Sequence, residues 1–212
     1  MTASAAAAPR LTQADRRART RNSLLEATAR GLSRYGYGNL VLERVATEAG
    51  YSRGALYHLF ANKEDLALAV VEWVEQTWYD EVGHHFDDVS HPIEALLAVA
   101  KGHAIYCRRD IAGVMMTLRA EFGGRDHPIG AAVDKTTGRV VADCTRVIAA
   151  GRQTGAIPPG PPPGTVALAF VGAIEGIVIH LAGQVPHDVA FAEKAARGVL
   201  GLAVEQDLAS GS

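Results

Sequence analysis

"AGYSRGALYHLF", residues 49–60, decides the fold, because it sets a glycine, then a serine and an arginine, then a second glycine where two short amphipathic segments meet. Before it, Leu42, Val45, Ala46 and Ala49 recur at spacings of three and four, the period of one helix face. Gly50 follows at the position of a left-handed helix cap. Ser52 is placed to cap a new helix from Arg53 to about Phe60, with Leu56 and Phe60 turned to the same core. A glycine inside so short a helix costs about 1 kcal/mol against alanine. Gly54 and Ala55 therefore read as a place where another surface comes close to the backbone, with donors on Ser52, Arg53, Tyr57 and His58 around it. A duplex major groove admits such a helix and meets its N-terminal residues. The alternative is an ordinary helical hairpin packed on protein.

Working outward, residues 1–14 are Ala-rich and aperiodic and read as a disordered tail. A first helix is expected from about Arg16 to Tyr35, with Leu24, Leu25, Thr28 and Leu32 on one stripe and Gly36 ending it. After the hairpin, Asn62 is a cap, and Glu64 and Asp65 suit the positive end of a helix dipole. Lys63 does not suit it; either an anion sits there, as helix N-termini allow, or the side chain simply reaches into water. The expected division is a DNA-binding head over 15–62 and a body over 63–212.

Charge supports that division. The chain of 212 residues carries a net −2, yet residues 1–60 hold nine arginines against four acids, a balance of +5 that leaves −7 for the rest. A basic head on an acidic body suits docking to a polyanion, although a solvated helix face has the same composition. With 48% apolar residues the chain can bury one large core or two smaller ones. The apolar run from Thr165 approaches bilayer length but contains Glu175 and His180, which favours a buried interface helix over a membrane span. The first residues lack the apolar block of a secretory signal, so a cytoplasmic location is expected. Cys107 and Cys144 have no metal or redox spacing and read as reduced thiols, a redox-sensing role being the alternative.

Residues Leu24 to Leu66 resemble the N-terminal DNA-binding domain of the TetR family of bacterial transcriptional regulators. The resemblance rests on "LLEATARGLSRYGY", on "LERVATEAGYSRGALY", and on Phe60 followed by "NKEDL". It implies that Ser52, Arg53, Gly54, Tyr57 and His58 line the recognition surface, that Arg44 touches the DNA backbone and that Lys63 touches phosphate. Val41 and Tyr51 complete the expected DNA-binding set. Four positions depart from the family. Leu40 and Val41 replace threonines that usually cap the second helix, leaving Asn39 as the candidate cap; Gly31 interrupts the first helix; and Leu59 replaces a commonly polar residue.

The body reads as further helices, giving an all-α protein of about nine. The fourth is expected from Lys63 to about His85, the fifth over Pro92–Arg109, the sixth over Ile111–Phe122 and the seventh over Pro128–Thr154. "GAIPPGPPPG", residues 155–164, forms a stiff helix-free connection to an eighth over Thr165–Gly183, and a ninth spans Asp188–Glu205. The eighth is apolar nearly all round and rich in small residues, so Gly172, Ala173 and Gly176, with Ala195 and Val199 of the ninth, are expected at a homodimer interface. This resembles how the family dimerises. Two recognition helices roughly 34–36 Å apart then fit a palindromic operator on double-stranded DNA.

Trp78, His103, Tyr106, Met115, Arg119, Phe122 and Glu175, together with Met116 and His180, are candidates for an apolar cavity with a few polar handles, the usual constitution of a small-molecule site. Each has a plain structural alternative: core histidine, core filler, or an internal Arg119–Glu175 pair. His84 and His85 are adjacent, point apart on a helix and lack further ligands, so no metal site is expected. No cofactor and no catalytic residues are assigned. The resulting expectation is a transcriptional repressor released from its operator by a small, mainly apolar effector; a constitutive DNA-binding module, or a helical enzyme, are the other classes.

Overall fold

The computed structural model describes residues 12–202. Among them run nine helices and no strand: α1 (Gln13–Tyr35), α2 (Leu42–Glu48), α3 (Arg53–Leu59), α4 (Lys63–Glu81), α5 (Pro92–Tyr106), α6 (Val114–Phe122), α7 (Pro128–Gln153), α8 (Pro163–Leu181) and α9 (His187–Val199). A 3-10 turn, Gly83–Asp87, follows α4. The architecture is all-α, a helix-turn-helix head followed by a helical body.

Local chemistry explains the boundaries. Thr12 and Asp15 form a reciprocal capping box, the Asp15 N–H donating to Thr12 Oγ1 at 3.1 Å and the Thr12 N–H to the Asp15 carboxylate at 2.9 Å. The expected tail over 1–14 therefore ends sooner than its last three residues; the remainder, 1–11, lies outside the described residues. Gly31 does not interrupt α1. It lets Leu40 close on the helix, since a β-carbon there would lie 2.7 Å from Leu40 Cδ1. Leu40 is thus the knob for which Gly31 is the hole. Asn39 does not cap α2: its amide donates to the Tyr35 carbonyl, and Val41 at the cap position supplies no side-chain bond. Ser52 caps α3 by accepting from the Ala55 N–H at 3.2 Å, and Asn62 caps α4 by accepting from the Asp65 N–H at 2.8 Å.

Several body helices are shorter than their sequence periods suggest. α4 stops at Glu81, and His84 and His85 fall in the 3-10 turn with ring centroids 4.1 Å apart, so these rings meet rather than point apart. α5 ends at Tyr106; just beyond it, Arg108 donates bidentately to the fully buried Asp188 at 2.8 and 2.9 Å. α6 begins at Val114, after turns over 107–113. α8 begins at Pro163, inside the stretch expected to be helix-free. α9 ends at Val199 with Leu200 at its C-cap, so the expected run to Glu205 stops early and its residues 203–205 lie outside the described residues.

Two apolar clusters carry the packing. The first joins Leu24, Leu32, Val45, Leu56 and Phe60 of the head to Leu66, Val70 and Val74 of α4, and continues into Val114, Leu118 and Phe122 of α6 and Ile129 and Val133 of α7. The second joins Val82 and Phe86 to α5, α7, α8 and Leu200. The core therefore runs across residue 62. α8 is long and apolar enough to cross a bilayer, yet Val166, Ala167, Phe170, Val171, Ile174 and Val178 are buried against the rest of the chain.

Candidate nucleic-acid interface and ligand cavity

Burial of Leu42, Val45, Ala46, Leu56 and Phe60 turns the opposite faces of α2 and α3 outward. Val41, Arg44, Ser52, Arg53, Gly54, Tyr57 and His58 are exposed together, with Val41 48% and Tyr57 42% accessible. Tyr51 is half-buried and packs against the head core. Around Gly54 there is open space; an added β-carbon would meet only Ser52 Oγ at 3.8 Å, so nothing inside the protein requires a glycine there. Arg53 is held by Glu43 at 2.9 Å and lies 5.3 Å from the Tyr57 ring, while Arg44 lies 5.3 Å from the Tyr35 ring.

Lys63 is half-buried at the start of α4. Its ammonium donates to the Gly38 carbonyl at 3.2 Å and sits 4.6 Å from the Tyr37 ring. Burial pushes its pKa down, and the nearby Glu121 carboxylate opposes the shift. Neither sequence reading of Lys63 described this contact with the α1–α2 turn. Glu121, from α6, accepts from the Tyr37 N–H at 2.8 Å and the Gly38 N–H at 3.2 Å. The sequence held a signal for it: an acid in the last turn of a helix opposes the dipole unless it serves another group.

In the body, α4, α5, α6, α7 and α8 enclose a mainly apolar cavity of about 110 Å3. Trp78, His103, Tyr106, Met115, Met116, Arg119 and Glu175 all line it. Phe122 does not. It packs edge-on to Tyr37 at 5.2 Å and near His127 at 4.3 Å in the first cluster, because Val114, Leu118 and Phe122 share the α6 face toward the head while Met115 and Arg119 are on the cavity side. His180 is exposed at the end of α8 and also lies off the cavity. Cys107 and Thr137 line it without having been singled out as cavity residues.

The cavity's polar groups answer one another. Arg119 donates to Glu175 at 3.2 Å and also to the Thr137 hydroxyl. Tyr106 and Thr77 hydroxyls share a bond of 3.0 Å. The Trp78 indole N–H donates to His103 Nδ1 at 3.1 Å, and Cys107 Sγ lies 3.6 Å from His103 Nε2. Burial pushes the His103 pKa down to about 4 and the Cys107 thiol up to about 12, so both are neutral at pH 7. No cluster of three metal-ligating side chains occurs among the described residues.

On α8, Leu168 and Ile179 are 62% and 53% exposed, and Gly172 and Gly176 between them face open space. Phe191 of α9 is also exposed. Ala173 and Ala195 are half-buried, and Val199 packs partly against the second core cluster.

Residues 24–70 match the family model of bacterial regulatory proteins, tetR family. The match covers the helix-turn-helix head and the start of α4, and there the chain is similar to the TetR family. The chain is 28% identical over 165 residues to the A-factor receptor protein of Streptomyces griseus, covering 76% of its own length and 55% of that protein. It spans about half the length, or less, of the curated relatives it matches. Its fold is similar to the regulatory protein TetR from Rhodobacter sphaeroides, with TM-score 0.71 and 21% identity over 84% of this chain and 97% of that one. It is also similar to AibR, solved with isovaleryl coenzyme A and operator DNA, with TM-score 0.68 and 22% identity over 86% and 96% of the two chains.

Proposed function

We propose that this protein is a homodimeric transcriptional repressor that binds a palindromic operator through α2 and α3 and leaves it when a small, mainly apolar effector fills the body cavity. The observation that carries the DNA reading is Gly54 in open space, among exposed Ser52, Arg53, Tyr57 and His58. A helical glycine costs about 1 kcal/mol, and no internal packing offsets it here. Close approach of a sugar-phosphate surface does.

The same reasoning supports pairing through α8 and α9, with Gly172 and Gly176 flanked by exposed Leu168 and Ile179. Ala173 and Ala195 join that face, while Val199 contributes mainly to its own protomer's core. Binding suits the cavity better than catalysis, since its nearest approach to a nucleophile–base pair, Cys107 and His103, consists of a protonated thiol and a neutral imidazole that donates little driving force. As for AibR, whose structure pairs a small molecule with operator DNA, effector and operator are taken to act on one molecule here.

The test is titration of the full chain against fragments of the promoter next to its own coding region. Arg53→Ala and Tyr57→Ala should each weaken binding about tenfold or more while sedimentation still reports a dimer. Wild-type affinity in both variants would overturn the assignment of α3 as the reading helix.

A further inference from the structure

His103 fixes the chemistry of what the cavity takes. Its Nδ1 accepts the Trp78 indole N–H, and indole nitrogen is a donor only. A neutral imidazole whose Nδ1 accepts must carry its proton on Nε2. Among the described residues that Nε2–H has one neighbour within bonding reach, the Cys107 sulfur at 3.6 Å, which also lies 3.9 Å from Nδ1, and sulfur is a weak acceptor. A strong donor is therefore left with a poor partner in an apolar wall.

The charged groups and the tyrosines of the lining are committed elsewhere, while the Thr136 hydroxyl, also in the lining, has no partner among the described residues. Arg119 is matched by Glu175 and Thr137, Tyr106 by Thr77, Tyr79 by Asp143, and Glu75 by Arg139. The formal charges of the lining thus cancel in pairs, and a charged ligand would have to break one pair to be matched. An uncharged ligand with a carbonyl oxygen breaks none and gives Nε2–H a better acceptor than sulfur.

We infer that the ligand is an uncharged, mostly apolar molecule bearing a carbonyl oxygen, and that this oxygen accepts from His103 Nε2. The inference rests on the reading of the cavity as a ligand site and narrows it to one chemical class. The cavity's 110 Å3 is smaller than the about 150 Å3 that holds benzene, so such a ligand enters only as the bordering Met115 and exposed Met116, unbranched side chains that yield readily, move aside.

The experiment uses the full dimeric chain and four probes of one shape: cyclohexanone, methylenecyclohexane, cyclohexylammonium and cyclohexanecarboxylate, with affinities measured by ligand-detected NMR. Cyclohexanone should bind about tenfold more tightly than methylenecyclohexane, and both charged probes should bind less tightly than cyclohexanone. In His103→Phe, the ketone and the alkene should bind alike. Nitrogen-15 spectra of the unmodified protein give a readout independent of any variant, with the His103 proton on Nε2 at pH 7 and moving downfield when cyclohexanone is added. Equal affinity for ketone and alkene in the wild type, preference for a charged probe, or a proton on Nδ1 would overturn the inference while leaving the cavity a ligand site. Binding of none of the four would remove the cavity reading itself. Selective ketone binding that leaves DNA affinity untouched upholds the ligand class and rejects only the regulatory role.

Discussion

At Gly36 the backbone takes φ +74°, and the Glu121 carboxylate occupies the place a β-carbon would need. Gly36→Ala must strain φ and also expel that carboxylate from the Tyr37 and Gly38 amides. A loss of about 2 kcal/mol is expected, lowering the melting temperature by roughly 4–8 °C; an unchanged melting curve would show that α6 does not grip the turn. His103 makes a second prediction. Its folded pKa of about 4 lies below the ordinary 6.5 because burial penalises the cation. Between those values the unfolded chain binds a proton that the folded one does not. Its contribution is thus intact above pH 6.5, shrinks as pH falls and is gone at about pH 4, on the order of 3 kcal/mol in all. Denaturant titrations should show this slope in the wild type and its absence in His103→Gln. Gly36 is legible in the sequence as a helix end, and His103 as a residue on an apolar face. The atoms that give each its importance, Glu121 and the Trp78 indole, lie 85 and 25 positions away in the chain, beyond what periodicity encodes.

Among the elements, α3 is fully written in its own sequence, because its cap, buried face and exposed face all come from eight consecutive residues, 52–59. What could not be read there is that Glu43 of α2 holds Arg53. Glu43→Gln should free Arg53 and remove a like charge facing phosphate, raising operator affinity several-fold in a low-salt titration; lowered affinity would mean that Glu43 orients Arg53 productively. α1 differs. Residues 13–19 are all exposed, two turns beyond the first buried residue, Leu24. Arg16, Arg17 and Arg19 on this extension form no ion pair among the described residues, and Arg21 rests 5.6 Å from the Phe60 ring, next to α4. If this overhang follows the duplex backbone, replacing the three arginines with alanine should flatten the logarithmic salt dependence by about two to three units, without altering operator preference. An unchanged slope would place the overhang off the DNA. α4, α5 and α9 end before their apolar spacing does, because that spacing continues through turns as readily as through helices.

For the whole molecule, the question is how a filled cavity reaches α3. α6 carries Met115 and Arg119 at the cavity and Glu121 and Phe122 at the α1–α2 turn, within eight residues. Glu121→Ala should leave cyclohexanone affinity unchanged yet reduce its effect on operator binding; a full response would put the coupling elsewhere, with α4 the next candidate. Shifting the heads from 1:99 to 99:1 requires roughly 5.5 kcal/mol of differential ligand affinity. Pairing is tested by Ile179→Glu, which should yield monomers in sedimentation together with much weaker operator binding; a dimer that persists would move the interface off α8. Charge and length suggested a head and a body meeting at residue 62, but no composition shift marks the apolar contacts of Leu118 and Phe122 with the head.

That continuous core bears on protein engineering. A fragment ending at residue 62 would bare the flank that α4, α6 and α7 cover, and would be expected to aggregate rather than bind DNA. Exchanging heads between proteins of this fold would succeed only if the splice carried the matching pieces of those three helices with it. New operator specificity is therefore easier to obtain by repainting the outer surface of α3 than by transplanting a module.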